Sequence, residues 1–475
     1  MPFILSGNVG SATAATGYDV ANSARFNDGS SDYLDHTHNA VTSTRKQTFS
    51  VWVKRSHLTS YQYIISTKNG TSTDRDGIAF SGSDQIDIRY GAGSSSPIRL
   101  TTNRLFRDPS AWYHIVVAVD TTQGTAGNRI KLYVNGVQET SFATSSYMDQ
   151  NYDFALNAKT DQATGIGVDG RLNDAYFDGY FSEFVAIDGL QLAADQFGEF
   201  DDSGIWKPID VSGLTFGDAG FYMNFETAAE LGTDVSGNSN TFAENNLTAI
   251  DQTTDTCTNN FCTINSLDNL YAAATLAEGN LKVTCSAGNT SFITSTFGLT
   301  KGKWYWEAKL TTVGGEEAIG ITDIVSTATD NYAGQTANSY SFKGNNGNIR
   351  NADENESYGS AYGTSVIGVY MDLDNNKLYF AINGTIQASG AGFDITAAAS
   401  TTNGFYFPMV GDVDSDSPVW EVNFGNPVSA LSSAVSDANG FGSFEYSPSD
   451  GGSASFDSAV KSFLAICTKN LAESG

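Results

Sequence analysis

Apolar residues along this chain alternate with polar ones and seldom recur at three-to-four spacing for more than two turns. Clusters of Gly, Asn, Asp, Ser and Thr break the apolar runs about every eight to twelve residues, the rhythm of short antiparallel strands joined by turns. TFSVWVKRS (Thr48 to Ser56) places Phe49, Val51 and Val53 on one face and Ser50, Trp52 and Lys54 on the other. HIVVAVD (His114 to Asp120) is apolar throughout, which predicts a central strand covered on both faces. Two hairpins are predicted, over Arg129 to Gln138 with a turn at Asn135-Gly136 and over Lys377 to Gln387 with a turn at Asn383-Gly384. Each follows an apolar strand that ends in an aspartate, Asp120 or Asp372.

That repetition predicts an all-β chain with two antiparallel β-sandwiches of related build. The expected division is an N-terminal arm (1–23), a first sandwich (24–200), a docked connector (201–275), a second sandwich (276–426) and a C-terminal segment (427–475). The connector is rich in Asn, Thr, Asp and Gly and offers one short apolar strand at Phe221, Met223 and Phe225, so a surface course is expected for it.

Charge narrows the partners. Against 25 Lys and Arg stand 53 Asp and Glu, a formal net charge of -28. Such a surface repels phosphate backbones and anionic headgroups, which excludes nucleic acid and membrane surfaces as expected partners. No run of eighteen apolar residues occurs, and MPFILSGNVG has neither the basic region nor the apolar core of a secretory signal, so a protein made and kept in the cytosol is expected. Cys257, Cys262, Cys285 and Cys467 are too few for a disulfide framework and are expected as idle thiols.

Catalytic signals are weak. Retaining glycoside hydrolysis needs two carboxylates about 5 Å apart, usually from one strand face. Glu183 and Asp188 have the wrong parity for one face, Glu199, Asp201 and Asp202 fall in a turn, and Glu307 stands alone. His114 is expected as a core residue bonded to a neighbour, and His36 and His38 with Asp35 form a weak metal-ligating pattern. The expectation is a protein that is not an enzyme.

The segments RFNDGSSDYL (Arg25 to Leu34), TFSVWVKRS, AWYHIVVAVD with NRIKLYVNG, and YFDGYFSEFVAIDGLQL (Tyr176 to Leu192) resemble, in order, the laminin G-like branch of the concanavalin A-like lectin sandwiches. From GKWYWEAKL (Gly302 to Leu310) through AIGITD, SYSFKGNNGNIRN and VIGVYMDLDNNKLYFAINGT to VWEVNFG, the chain is similar to SPRY sandwiches. Nearly its whole length, with FRDPSAWYHIVVAVDTTQ, the FGE and GIWKP segments, LGTD-x-SGN-x-N and TNNF-x-T-x-N, resembles structural proteins of bacteriophages, especially marine ones.

The resemblance implies a virion protein, such as a tail fibre, appendage or capsid decoration, made in the host bacterial cytoplasm and contacting host surface glycan or other virion proteins. A tail-associated glycan depolymerase and a cellular adhesion lectin are the alternatives. Laminin G-like and lectin sandwiches often hold calcium at one rim, which implies Asp120, Asp169, Asn173, Asp174 and Asp178 as ligands, with the run Asp412, Asp414 and Asp416 as a second place for it. SPRY ligand loops imply Tyr332, Tyr358 and Tyr362, with Asn345 and Asn346, as glycan- or partner-binding residues. Finally, the apolar clusters Phe3, Ile4, Leu5 and Phe463, Leu464, Ile466 at the two ends need a covering surface, and a homo-oligomer assembled through at least one of them is expected.

Overall fold

A computed structural model describes residues 4–5, 17–68, 76–90, 98–170, 173–268, 272–287, 290–325, 332–414, 416–449 and 462–474. The chain is all-β and forms two compact units, each an antiparallel sandwich. Ala15–Thr258 make the first unit, and Asn259–Gly475, with the N-terminal strand Ile4–Leu5, make the second.

In the first unit, strand Lys46–Arg55 lies between Trp112–Asp120 and Gly179–Asp188. Trp112–Asp120 runs into the expected hairpin, whose turn residues Asn135 and Gly136 adopt φ of 47° and 77°, the left-handed region a two-residue turn demands. Alternation then does its work. Phe49, Val51 and Val53 point inward to meet Ile65, Ile78 and Ile88 of the opposing sheet. The other face of the first sheet is also covered, because Ala194, Phe197, Val211 and Phe216 pack on Val116, Val185 and Ile187. That second cover explains why the central strand is apolar at every position.

The stretch expected as a connector is divided between the units. Residues up to Thr258 are built into the first: Phe221–Met223 pairs with Gly179–Asp188, Ala243–Asn245 extends the opposing sheet beside Tyr33–His36, and Gln252–Thr253 pairs with Ser23–Phe26. A short strand needs only a free sheet edge and one buried face, which Asn- and Gly-rich sequence conceals.

In the second unit, Lys303–Thr312 is flanked by Val366–Asp372 and Val419–Asn423. Facing it is a sheet in which Glu317–Thr322 lies between Phe407–Asp412 and Ser339–Lys343. Trp304, Trp306, Trp420, Phe342 and Phe380 fill the space between. The second hairpin also turns as expected, with Asn383 and Gly384 at φ of 46° and 75°.

The terminal clusters fold onto their own chain. Ile4–Leu5 pairs in parallel with Phe297–Gly298, and Ile4 packs on the second core. Leu464–Ala465 pairs with Trp304 and Tyr305, Phe463 packs edge-on to Tyr370 and Tyr379, and Ile466 is fully buried. Phe3 lies outside the described residues. Apolar clustering correctly required a cover, but the cover is the second sandwich itself, so these segments give no ground for a neighbouring subunit.

Candidate functional site

One rim of the second sandwich gathers polar and aromatic side chains around Tyr332. The hairpin from Asn348–Asn351 to Glu354–Ser357 turns through Ala352 and Asp353, both at positive φ (50° and 67°). For alanine this is strained backbone, of the kind that persists where the surrounding structure fixes it. The loop after Tyr332 fixes it here: Ala352 N donates to Thr336 O at 3.2 Å and Asp353 N to Gly334 O at 3.2 Å. Gly334, at φ 87°, lies against the hairpin where a side chain would meet Arg350 and Ser341.

The turn therefore aims Asp353 back at Arg350 and Tyr332. Arg350 sits 4.5 Å from the Tyr332 ring centroid and donates to Asp353 at 2.7 Å, while the Tyr332 hydroxyl donates to the same oxygen at 2.6 Å. Glu316 closes the group, accepting from Lys343 at 3.0 Å and from the Asn345 amide at 3.3 Å. A half-buried ring flanked by a guanidinium, two carboxylates and an amide is a surface suited to polyhydroxylated ligands.

The other residues expected at this rim behave differently. Asn346 is exposed and serves its own turn, accepting from Asn348 N at 2.9 Å. Tyr358 packs edge-on to Phe342 and Phe380 and donates to Ala391 O at 2.9 Å. Tyr362 is 3% exposed, stands against Phe342 and Trp420, and donates to the Glu317 and Phe342 carbonyls. It is a core residue and presents no ring to a ligand. A tyrosine has an apolar body and a polar tip, so sequence could not distinguish rim from core.

The calcium set expected in the first unit does not assemble. Along Lys46–Arg55, Lys46 pairs with Asp120 and Arg55 with Gly179, so Asp120 and Asp178 lie at opposite ends of a strand roughly 30 Å long. Asp120 instead binds its own turn, accepting from Thr122 and Gln123, with Lys46 at 3.5 Å. Asp169, Asn173 and Asp174 form one tight loop closed by the Asp169–Asp174 bridge.

Asp178 meets residues that the sequence did not single out. Its carboxylate, that of Asp28 and the His57 ring offer ligand atoms all within 4.8 Å of one another, with His57 Nδ1 2.8 Å from Asp28 Oδ2. Burial raises the Asp28 carboxyl, but the hydrogen bond and charge of His57 more than offset this and leave it below its ordinary value. Two oxygens and a nitrogen from three segments could hold a divalent metal with an open position. Only spacing across the fold reveals them. His36 and His38, by contrast, face each other at 4.9 Å, and His38 is bonded to Asn157 at 2.6 Å.

Two buried glutamates complete the chemistry. Glu183 sits in a bulge of Gly179–Asp188 at φ 48° and accepts from the Tyr222 hydroxyl at 2.7 Å and the Tyr18 hydroxyl at 3.3 Å; burial pushes its carboxyl up to about 7. Glu307 accepts from Tyr305, Asn423 and the amides of Glu445 and Tyr446, and burial pushes it up to about 6. More donors, two of them backbone amides, hold Glu307 closer to the ordinary range. Glu307, Glu421 and Glu445 line a cleft of about 60 Å³, well below the roughly 300–1,000 Å³ of small-molecule sites. His114 is the core residue expected, 2.8 Å from Ser50 and accepting from Trp206 at 2.9 Å, with burial lowering it to about 3.

The sequence profile of the concanavalin A-like lectin/glucanases superfamily matches residues 28–192, and that of the SPRY domain matches residues 303–412. The chain thus carries a concanavalin A-like domain followed by a SPRY domain, as the motifs indicated. A search of curated proteins finds no match. Among solved structures, the chain is similar to the SPRY domain of human HERC1 (14% identity, 34% of this chain and 96% of that one, TM-score 0.27). It is also similar to a Bacteroides ovatus protein proposed to bind carbohydrate (16% identity, 50% and 60% covered, TM-score 0.36) and to stonustoxin (18% identity, 34% and 27% covered, TM-score 0.27). None of these findings bears on the resemblance to bacteriophage proteins.

Proposed function

We propose that the protein is a non-enzymatic component of a bacteriophage particle that contacts host surface glycan through the Tyr332 rim of its SPRY sandwich. The observation that carries this reading is the preset group of Tyr332, Arg350, Asp353, Glu316 and Asn345, which is open to solvent and held by a strained turn. The lectin-type fold of the first sandwich and the full-length motif order support it. Its other partners on this reading are virion proteins. Binding of host surface polysaccharide to the purified chain, at least about tenfold weaker in Tyr332→Ala with folding unchanged, is the expected result. Equal binding by the variant overturns the rim as the site. Mass spectrometry of purified particles tests the setting, and absence of the chain from intact virions overturns it.

A second reading, glycan cleavage, is favoured by one observation, the raised Glu307 carboxyl in a cleft with Glu421 and Glu445. It predicts shortening of host polysaccharide by the chain and none by Glu307→Gln. Unchanged polysaccharide length with the native chain excludes it.

A further inference from the structure

Three strands of the first sandwich meet in register at one end of their sheet. Gly179, the first residue of Gly179–Asp188, pairs on one side with Phe26, the last of Ser23–Phe26, and on the other with Arg55, the last of Lys46–Arg55. Asp178 lies one residue before this row, and Asp28 and His57 lie two residues beyond it, so register collects two aspartates and a histidine that are far apart in sequence. The backbone around them is pinned. The fully buried Gln62 amide donates to His57 O and accepts from Asp178 N, both at 3.2 Å, and Asp178 O accepts from Ser56 N at 3.1 Å. Arg55 donates to His57 O at 3.3 Å, and Ser31 N donates to Asp28 O at 3.1 Å to close the turn after Phe26. Such a frame sets three side chains in place before any ligand arrives.

Charge at this point calls for a cation. Ligand atoms of the three side chains all lie within 4.8 Å of one another, and Asp178 is only 3% exposed. Asp28 and Asp178 stand close enough to share a hydrogen bond, which two carboxylates form only around a proton or a cation. The basic residues that end the neighbouring strand are engaged elsewhere, Lys54 with Asp255 and Arg55 with Asp84. A protonated His57 neutralises one of the two carboxylates, whereas a divalent ion neutralises both and leaves the imidazole neutral, the form that binds metal. Among the described residues this is the one place where three such groups converge, and Asp412, Asp414 and Asp416 do not join one.

We propose that Asp28, His57 and Asp178 form a zinc site at this end of the first sandwich, with a fourth position open to solvent. The donor set selects the ion. An imidazole beside two carboxylates suits zinc and its first-row neighbours, while calcium and magnesium take oxygen ligands. The site therefore differs in metal and in partners from the calcium set in which Asp178 was expected. Three protein ligands with one vacant position are the arrangement of zinc sites that keep an exchangeable water. The side chains of His57 and Asp28 are 51% and 32% exposed, so that position is reached from solvent, while the buried Asp178 anchors the ion from below. The inference is independent of the Tyr332 rim, which belongs to the other sandwich.

Titration of the chelator-stripped full chain with zinc is the direct test. A single ion should bind saturably and raise the melting temperature of the first unit, and excess calcium should not displace it. Cobalt(II) in its place should give visible d–d absorption that zinc abolishes. His57→Gln changes an exposed side chain and leaves the core alone, and it should weaken zinc binding at least about tenfold, as should Asp178→Asn. His36→Gln, at the other histidine pair, should leave binding and the cobalt spectrum unchanged. Absence of saturable zinc binding, or an affinity unchanged in His57→Gln, overturns the proposal and leaves the group an ion pair or a shared proton. So does displacement by calcium, or a loss of binding in His36→Gln instead.

Discussion

The two sandwiches bury carboxylates by different means. In the first, three buried aspartates are given cations: Asp84 takes Arg55 at 3.1 Å and Arg107 at 2.8 Å, Asp87 takes Arg89 at 2.7 Å and Arg99 at 2.6 Å, and Asp255 takes Lys54 at 2.7 Å, while Glu183 and Asp188 are held by hydroxyls and amides. In the second, Asp372 has Lys303 at 3.3 Å, but Glu307 and Asp437 are held by amides and hydroxyls, and Glu317 Oε2 and Asp412 Oδ2 have no hydrogen-bond partner among the described residues. Composition explains the split, for every arginine but Arg350 falls before residue 258. A guanidinium offers several donors and a fixed charge to one carboxylate. Burial raises Asp84, Asp87 and Glu307 alike, yet the arginines and their companion donors leave Asp84 and Asp87 below the ordinary range, while Glu307 stays above it.

The largest effect should come from breaking a pair in the first sandwich. Arg55 and Asp84 are both fully buried, and Arg55 also donates to Phe106 O at 2.7 Å. Arg55→Ala leaves a buried carboxylate with the Thr59 amide and only one, partly exposed, cation, Arg107, and a loss of about 3–5 kcal/mol is expected in urea unfolding of the first unit. Lys303→Ala, whose side chain is 18% exposed, should cost the second unit less. Equal losses would erase the comparison.

Next comes the pH dependence. Glu183 is raised from 4.5 to about 7 in the fold, so its contribution is fully present below pH 4.5 and is lost as pH rises through 7, roughly 3 kcal/mol from the first unit. Glu307, raised from 4.5 to about 6, has the same sign and takes about 2 kcal/mol from the second unit over a lower window. Urea midpoints followed against pH should therefore fall in both units from about pH 4.5, levelling off near pH 6 in the second and near pH 7 in the first. Glu183→Gln and Glu307→Gln should each flatten one curve and leave the other.

These differences trace what sequence can carry. The strand at Thr48 to Ser56 and the turns at Asn135-Gly136 and Asn383-Gly384 were legible because alternation and positive φ are local demands. Within 201–258 the apolar strand at Phe221–Met223 was legible too, but Ala243–Asn245 and Gln252–Thr253 were not, because their pairing depends on edges formed by residues far upstream. At the rim, Tyr332 and Asn345 do meet through Arg350 and Glu316, while Tyr362 lies in the core; both kinds of tyrosine stand among the same polar neighbours in sequence. The Asp412, Asp414 and Asp416 run was visible, but its partner Glu317 comes from a strand placed beside it only by register.

The smallest expected effect is also the one that separates the two designs most cleanly, because it reverses sign. Arg55→Ala removes one charge from a buried group and destabilises the first unit, since it leaves a carboxylate short of its partner. Asp412→Asn also removes one charge from a buried group, but there the charge has no partner to lose. Its Oδ1 keeps the Asp414 amide, because an asparagine oxygen accepts as a carboxylate does, while repulsion from Asp414 and Asp416 and the desolvation of Oδ2 are relieved. Above pH 8, where the raised Asp412 carboxyl is ionised, Asp412→Asn should therefore stabilise the second unit by about 1 kcal/mol, the size of one neutralised charge less the partners its new amide hydrogens must find. Thermal unfolding of both chains above pH 8 reads the difference. Asp412→Asn less stable than the native chain at that pH would mean that the carboxylate is satisfied within the protein, and that the two sandwiches bury charge by one rule after all.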